Sequence, residues 1–233
     1  MRERGMAGLK IIVAATTLLA PAGPGRAAET LTSWPDSDLG RLEVLAEIET
    51  LNGALLASRS ATATLEAWCA DHHMAQPARI SAQRDTGPGK PITAQQRQDL
   101  QVGPEEPIMY RRVRLACGDH VLSEADNWYV PRRLTPRMNQ VLETTDTPFG
   151  KAVQDLHPTR QTLSAQRLWS PLPDGWDLAP PTATTQSVGA GALAIPRQLF
   201  QHRAILLDEQ RRPFSEVVET YTSAVLDYPR SRK

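Results

Sequence analysis

The sequence predicts an α+β domain, an antiparallel sheet covered by helices, on three observations. Segments 108–130 and 197–225 alternate apolar and polar residues with period two, and turn residues break each of them once, so each reads as a hairpin. Other stretches repeat apolar residues every three or four positions, as one face of a helix does. The strand and helix segments come in runs, without the regular alternation that builds a parallel βαβ sheet.

A chain of 233 residues with 40% apolar content can bury one sizeable core and does not require two. Lys plus Arg equals Asp plus Glu at 26 each, so the net field offers no attraction to nucleic acid or to an anionic membrane surface. Any electrostatic specificity has to be local, and no nucleic-acid partner is expected. The 19 prolines and 14 glycines fall mostly in segments that read as loops, which suits a short-stranded sheet protein.

The elements follow in order. Arg2, Arg4 and Lys10 lead into the apolar run Leu9 to Ala20, followed by Pro21, Pro24 and small residues, which is the order of a secretory signal peptide. Cleavage after Ala27 puts Gly25 and Ala27 at the small-residue positions. A run of about 12 apolar residues is shorter than the roughly 20 that span a bilayer. The expectation is a signal peptide over 1–27 and a single domain over 28–233. That domain would be a monomer in the periplasm or secreted, with no stable membrane anchor after cleavage.

From Asp38 to Leu51, the residues Leu39, Leu42, Leu45, Ile48 and Leu51 recur every three positions and predict a helix ending near Asn52-Gly53. Ser60 is a good N-cap for a second helix that turns Leu65, Trp68 and Cys69 inward, with His72 and His73 at its solvated end. Residues 84–107 read as a polar loop around a short helical Thr93 to Leu100. Ile108 to Cys117 then alternates, and Gly118-Asp119-His120 turns the chain into Val121 to Val130. Thr135-Pro136 and Thr147-Pro148 each open a helix, the threonine as cap and the proline where its missing N–H costs nothing. Thr162 to Trp169 is a strand. Pro171 to Pro196 is a surface insertion rich in Pro, Gly, Ala and Thr, and Arg197 to Leu207 with Phe214 to Val225 form the closing hairpin.

Export permits a disulfide, but Cys69 on a helix face and Cys117 at a strand end read by themselves as two buried thiols. Neither has metal-ligand spacing, so no metal site is expected. The chain has no Gly-x-Ser-x-Gly, no HExxH, no phosphate-cradling glycine loop and no dinucleotide fingerprint. What remains is charge on strands. Alternation puts Arg112 beside Tyr110 and groups Val217, Glu219 and Tyr221 on one face. If those faces meet, they enclose an apolar and aromatic pocket with a guanidinium at one end and a carboxyl at the other. If they do not, the two are a cross-strand ion pair or the solvated face of a half-exposed sheet.

The order of these weak signals carries a resemblance. The run Arg112-Val-Arg-Leu-Ala-Cys117-Gly-Asp119, a strand ending at Pro131, Thr147-Pro-Phe-Gly150 opening a helix, and a hairpin ending Val-Val-Glu219-Thr-Tyr together resemble the chorismate pyruvate-lyase family. The resemblance covers roughly Leu55 to Leu226, apart from the insertion. It implies a sheet of about six antiparallel strands packed by helices, and elimination of pyruvate from chorismate to leave 4-hydroxybenzoate without metal or organic cofactor. By the same resemblance Arg112 holds the carboxylate of the aromatic product, and Glu219 meets the ring oxygen and serves as acid or proton relay. Ser60-Ala61-Thr62 and Pro148-Phe149-Gly150 supply backbone N–H groups. The family has larger or aliphatic side chains where this chain has Ala61 and Phe149, which implies a reshaped pocket. Glu216 is the alternative to Glu219 if the hairpin is shifted, and parity puts it on the opposite face.

Ligand-sensing domains of some transcription regulators are similar in fold. An exported chain meets little chorismate, which is made inside the cell. The second expectation is therefore a non-catalytic binding protein for a small aromatic or carboxylic acid. A third is an interaction role for the Pro171 to Pro196 segment.

Overall fold

The computed structural model describes residues 30–31, 33–178 and 191–231. The expected signal peptide and the centre of the insertion lie outside the described residues. In chain order the elements are β1 (Thr30–Leu31), α1 (Asp38–Ala57), α2 (Ala61–Asp71), β2 (Ile80–Asp85), α3 (Ala94–Asp99), β3 (Met109–Cys117) and β4 (His120–Tyr129). There follow α4 (Pro136–Thr144), α5 (Phe149–Ala152), β5 (Thr159–Arg167), β6 (Gln198–Leu207), β7 (Pro213–Thr222) and β8 (Arg230–Ser231). Six strands make one antiparallel sheet in the order β2-β3-β4-β7-β6-β5, and β1 pairs with β8. The fold class read from the sequence is the one observed.

Both expected hairpins form. Between β3 and β4, Gly118 has φ +55° and a Cβ there would come within 2.9 Å of Ala75 Cβ, so conformation and space both require glycine. The capping serines and threonines act as their positions imply except Thr147, because α5 has Pro148 as its N-cap and no side-chain cap hydrogen bond. Ser37, Ser60 and Thr135 accept from the backbone N–H three residues on, and Thr93 with Gln96 forms a full capping box.

Three expectations are corrected. Helix α1 does not stop at Asn52-Gly53 but runs to Ala57, and its buried stripe is Gly40, Val44, Ile48, Leu51 and Leu55. Steps of three residues drift about 60° per step around a 3.6-residue helix, so Leu39 and Leu42 rotate into solvent. Strand β2 lies where only Ile80 and Ala82 alternate inward and Gln83 to Asp85 are exposed, too short a signal to separate from loop. Cys69 and Cys117 are not free thiols: they form a disulfide, with Cα atoms 6.4 Å apart, that ties α2 to the end of β3. His72 also departs from the solvated helix end expected of it, since its ring is half-buried on Trp68 and against Tyr228.

One face of the sheet is covered by the helices. α1 and α2 close a large cluster over Val113, Leu115, Ala125, Val217 and Tyr221. A smaller cluster of Tyr129, Leu134, Met138, Leu142, Val153, Leu206 and Phe214 lies under α4 and α5, with Phe149 packed against it. The far end of the insertion joins the larger cluster: Leu193 is buried, Ile195 packs beside it, and Leu193 N–H donates to Trp34 O at 2.7 Å. Where the two clusters meet, the sheet carries polar side chains in place of apolar ones.

Candidate functional site

At that junction lies a cavity of about 70 Å³, floored by the sheet and roofed by the starts of α2 and α5. Register sets its floor. Arg111 is opposite Asn127, which is opposite Val217; one step along, Val113 is opposite Ala125, which is opposite Glu219, which is opposite His202. Side chains of one parity share a face. Arg111 and Val113 on β3, Asn127 and Ala125 on β4, and Val217 and Glu219 on β7 therefore all point into the cavity. Ser60, Ala61 and Thr62 approach from α2, and Phe149 and Gly150 from α5.

Glu219 is held from two sides. Arg160 Nη2 on β5 lies 2.7 Å from Glu219 Oε2, with both side chains almost fully buried, and Tyr221 Oη donates to Glu219 Oε2 at 3.2 Å. Arg160 retains two buried nitrogens, Nε and Nη2, without a well-directed acceptor. Burial pushes the Tyr221 hydroxyl well above its usual range, with Glu219 acting in the same direction, so the tyrosine stays a donor. His202, opposite Glu219 on β6, is fully buried, and its Nε2 is 2.8 Å from Asn52 Oδ1. Burial, followed by the charge of Arg160, lowers the His202 pKa and keeps the ring neutral.

Arg111 is the contrasting cation. It is 7% exposed, its Nη2 donates to Thr147 O at 3.1 Å, and its Nε has no partner. Among the described residues it makes no ion pair with a carboxylate. Burial lowers its pKa to about 10, only partly opposed by Tyr129 and the unbonded carboxylate of Asp146, which leaves it charged at neutral pH. A buried, charged and unneutralised guanidinium is costly unless something anionic meets it.

The structure places the sequence-derived residues as follows. Glu219, Ala61 and Phe149 line the cavity. Phe149 stacks on Phe214 at 6.3 Å between ring centroids, which fixes it as part of the wall. Arg112 is not in the cavity. It lies on the opposite face of β3 with Tyr110, half exposed, its Nε 3.7 Å from Asp85 Oδ2. Arg112 and Glu219 share no cavity; of the two adjacent arginines on β3 it is Arg111 that lines the cavity with Glu219, together with Arg59 and Arg160. Parity carried this signal: position 111 falls on the face of Val113 and Leu115, the face that the apolar residues mark as inward. Glu216 lies on the outer face, as parity requires, fully buried against Arg203 with Nε to Oε1 at 2.7 Å. Arg160 fell outside the strand expected over Thr162 to Trp169, and the period-two pattern extended back from Thr162 would have brought it to the same face.

These features describe an α+β domain with an arginine-rich cavity on the helix-covered face of an antiparallel sheet. The chain belongs to one family with the "Uncharacterized protein y4mC" of Sinorhizobium fredii, to which it is 52% identical over 206 residues, 87% of this chain and 86% of that protein. No family model matches the chain. Among solved structures, it is similar to the effector domain of PhnF from Mycobacterium smegmatis at 10% identity, covering 70% of this chain and 88% of that one, with a TM-score of 0.44. It is also similar to the ligand-binding domain of a putative GntR-family transcriptional regulator from Bordetella bronchiseptica at 16% identity, covering 66% and 90%, with a TM-score of 0.40. Likeness at this level assigns neither ligand nor activity.

Proposed function

We propose that this chain binds a small organic carboxylate in the cavity between Arg111 and Glu219, with an aromatic hydroxy acid as the best-fitting class. The observation that carries this reading is Arg111 itself, a buried guanidinium with an unpartnered Nε and no carboxylate partner, on a wall shared with Val113 and Leu115. An arginine fork matches a carboxylate bidentately. Glu219 and Arg160 together offer an acceptor and spare donors to a hydroxyl at the far end. From the register, the Cα atoms of Arg111 and Glu219 are separated by two strands and two residues, about 12 Å at standard sheet spacings. That spacing leaves room for one small molecule once both side chains reach inward. The cavity is about half the roughly 150 Å³ that admits a benzene ring, so a ring enters only as the α2 and α5 starts separate.

The second reading is the lyase reaction, loss of pyruvate from chorismate. It is favoured by the presence of Glu219, Ala61 and Phe149 around one cavity, as the family resemblance implies. In that reading Arg111 takes the orienting role assigned from the sequence to Arg112, and the Glu219 carboxyl assists proton movement at the departing ether oxygen. The close hold of Arg160 and Tyr221 on Glu219 favours a fixed hydrogen-bonding group over a mobile acid, which is why binding is the first reading. One experiment separates them. Mature protein is titrated with 4-hydroxybenzoate by calorimetry, then incubated with chorismate while 4-hydroxybenzoate absorbance and pyruvate are followed. Binding without turnover supports the binder, turnover supports the lyase, and neither refutes both. The exported location expected from residues 1–27 remains part of the proposal. The Cys69–Cys117 disulfide supports it, because such bonds persist in oxidising compartments.

A further inference from the structure

The two edges of the six-stranded sheet are finished differently. At β2, the Ala82 N–H donates to Asp146 O at 2.8 Å and the strand ends in the exposed charges of Arg84 and Asp85, which together block a further strand. At the other edge, β5 pairs only with β6 among the described residues. A bulge at Leu163 divides it, and the half beyond, Ser164 to Arg167, is exposed throughout. From Gln161 to Gln166 the strand carries neither charge nor proline, the residues that blunt an edge. Helix α1 lies along this open half. Arg41 Nη1 donates to Pro171 O at 2.6 Å, Glu49 Oε1 lies 2.7 Å from Arg167 Nη2, and Asn52 Oδ1 lies 2.8 Å from Nε2 of His202, the residue opposite Ala165. Residues seven apart on a helix drift by only about 20°, so Leu42, Glu49 and Leu56 share one stripe, with Leu45 between the first two. Leu42 and Leu56 are exposed there, and Gly53 beside them has open space where a Cβ would stand. An exposed apolar stripe of this period is the seam of a helix that packs on another helix.

We infer that a second copy of this chain docks on this face, in place of the monomer expected from the sequence: the open half of β5 pairs antiparallel with that of the copy and continues the sheet, and the two α1 helices close over the junction through Leu42, Leu45 and Leu56. Charge points to a copy as the partner. The half-strand and the stripe carry one cation, Arg167, and one anion, Glu49, both partly exposed. A two-fold axis lays such a doublet against itself reversed, so each Arg167 meets the Glu49 of the other copy and the face is its own complement. Size agrees. A helix of 20 residues is about 30 Å long, and with the sheet layer about 10 Å beneath it the face measures roughly 600 Å² in projection, of the order that each partner commits to a stable interface. The pairing also braces the cavity, because β5 is the strand that carries Arg160.

Sedimentation velocity of the mature protein over a dilution series tests this. Wild type is expected to run as a dimer at micromolar concentration and to dissociate on dilution. Leu42→Glu with Leu56→Glu on the helix, and separately Ala165→Lys on the strand, change exposed positions and should leave circular dichroism unchanged while raising the dimer dissociation constant at least tenfold. Met109→Glu, as exposed but at the start of β3, is the control and should stay dimeric. A wild type that is monomeric throughout overturns the inference. So does a dimer that persists in either variant, or one lost equally in Met109→Glu. Should the two acidic residues cost α1 its fold, Ala165→Lys decides by itself: loss of the dimer supports the face and its persistence refutes it.

Discussion

Arg160 on β5 and Glu219 on β7 meet at 2.7 Å across the intervening strand β6, although the two strands share no ladder. The pair closes diagonally over β6, where Leu206 is opposite Arg160, His202 is opposite Glu219 and the small Ala204 lies between them. Removing one partner leaves the other as a buried charge, which costs about 3–5 kcal/mol. Arg160→Ala is therefore expected to lower Tm by roughly 10 °C for a domain of this size. The double substitution Arg160→Met with Glu219→Leu restores a matched, apolar site and should recover most of that stability while weakening the binding of a hydroxy acid, whose hydroxyl end the pair would meet. Thermal melts of the single and double variants check both halves. A double variant as unstable as the single one would show that the pair holds the fold and not only the site.

The disulfide between Cys69 and Cys117 closes a loop of sequence separation 48. Chain-entropy arguments put its contribution near 4 kcal/mol. Because it joins α2, which roofs the cavity, to β3, which carries Arg111, reduction should weaken ligand binding as well as stability. Urea unfolding with and without reductant measures the first effect, and calorimetry of the reduced protein the second.

Stability should depend on pH through His202. Burial first, then Arg160, hold its folded-state pKa below the unfolded value of 6.5. Below about pH 6.5 the unfolded chain therefore takes up a proton that the folded chain refuses, and stability falls as pH drops toward the folded pKa. The slope in that window approaches about 1.4 kcal/mol per pH unit from this residue alone. Above pH 6.5 the contribution is fully present. His202→Gln, which keeps a donor toward Asn52, should flatten the slope between pH 6.5 and 5.5. An unchanged slope in urea melts would assign the effect elsewhere.

The architecture was largely legible in the sequence, and the reasons are local. The hairpins at 108–130 and 197–225 announce themselves by period two and by their turns, Gly118-Asp119-His120 in the first and Asp208 to Pro213 in the second, and the four side-chain helix caps form at serine or threonine. Strand β2 was hidden because an edge strand with two inward apolar residues has little pattern to show. The site was half legible. Glu219 follows from the parity of Val217 and Tyr221, whereas charge on the alternating strand and the resemblance both set Arg112 in the pocket beside Tyr110, although the inward face, marked by Val113 and Leu115, carries Arg111. Arg160 depends on a three-strand juxtaposition that no local pattern encodes.

The adjacent arginines of β3 provide the most direct test, because they differ in face and in little else. Arg112 is half exposed beside Asp85, so Arg112→Ala should change stability by no more than about 0.5 kcal/mol. Arg111→Met removes the buried cation and should leave the fold intact or slightly stabilised, since an unneutralised charge leaves with it. The measurement is calorimetric titration of 4-hydroxybenzoate into wild type, Arg111→Met and Arg112→Ala. Binding to wild type that is kept in Arg112→Ala and weakened at least tenfold in folded Arg111→Met is the predicted result. Binding that survives Arg111→Met, or that is lost in Arg112→Ala, would contradict the assignment of the cavity as a carboxylate site.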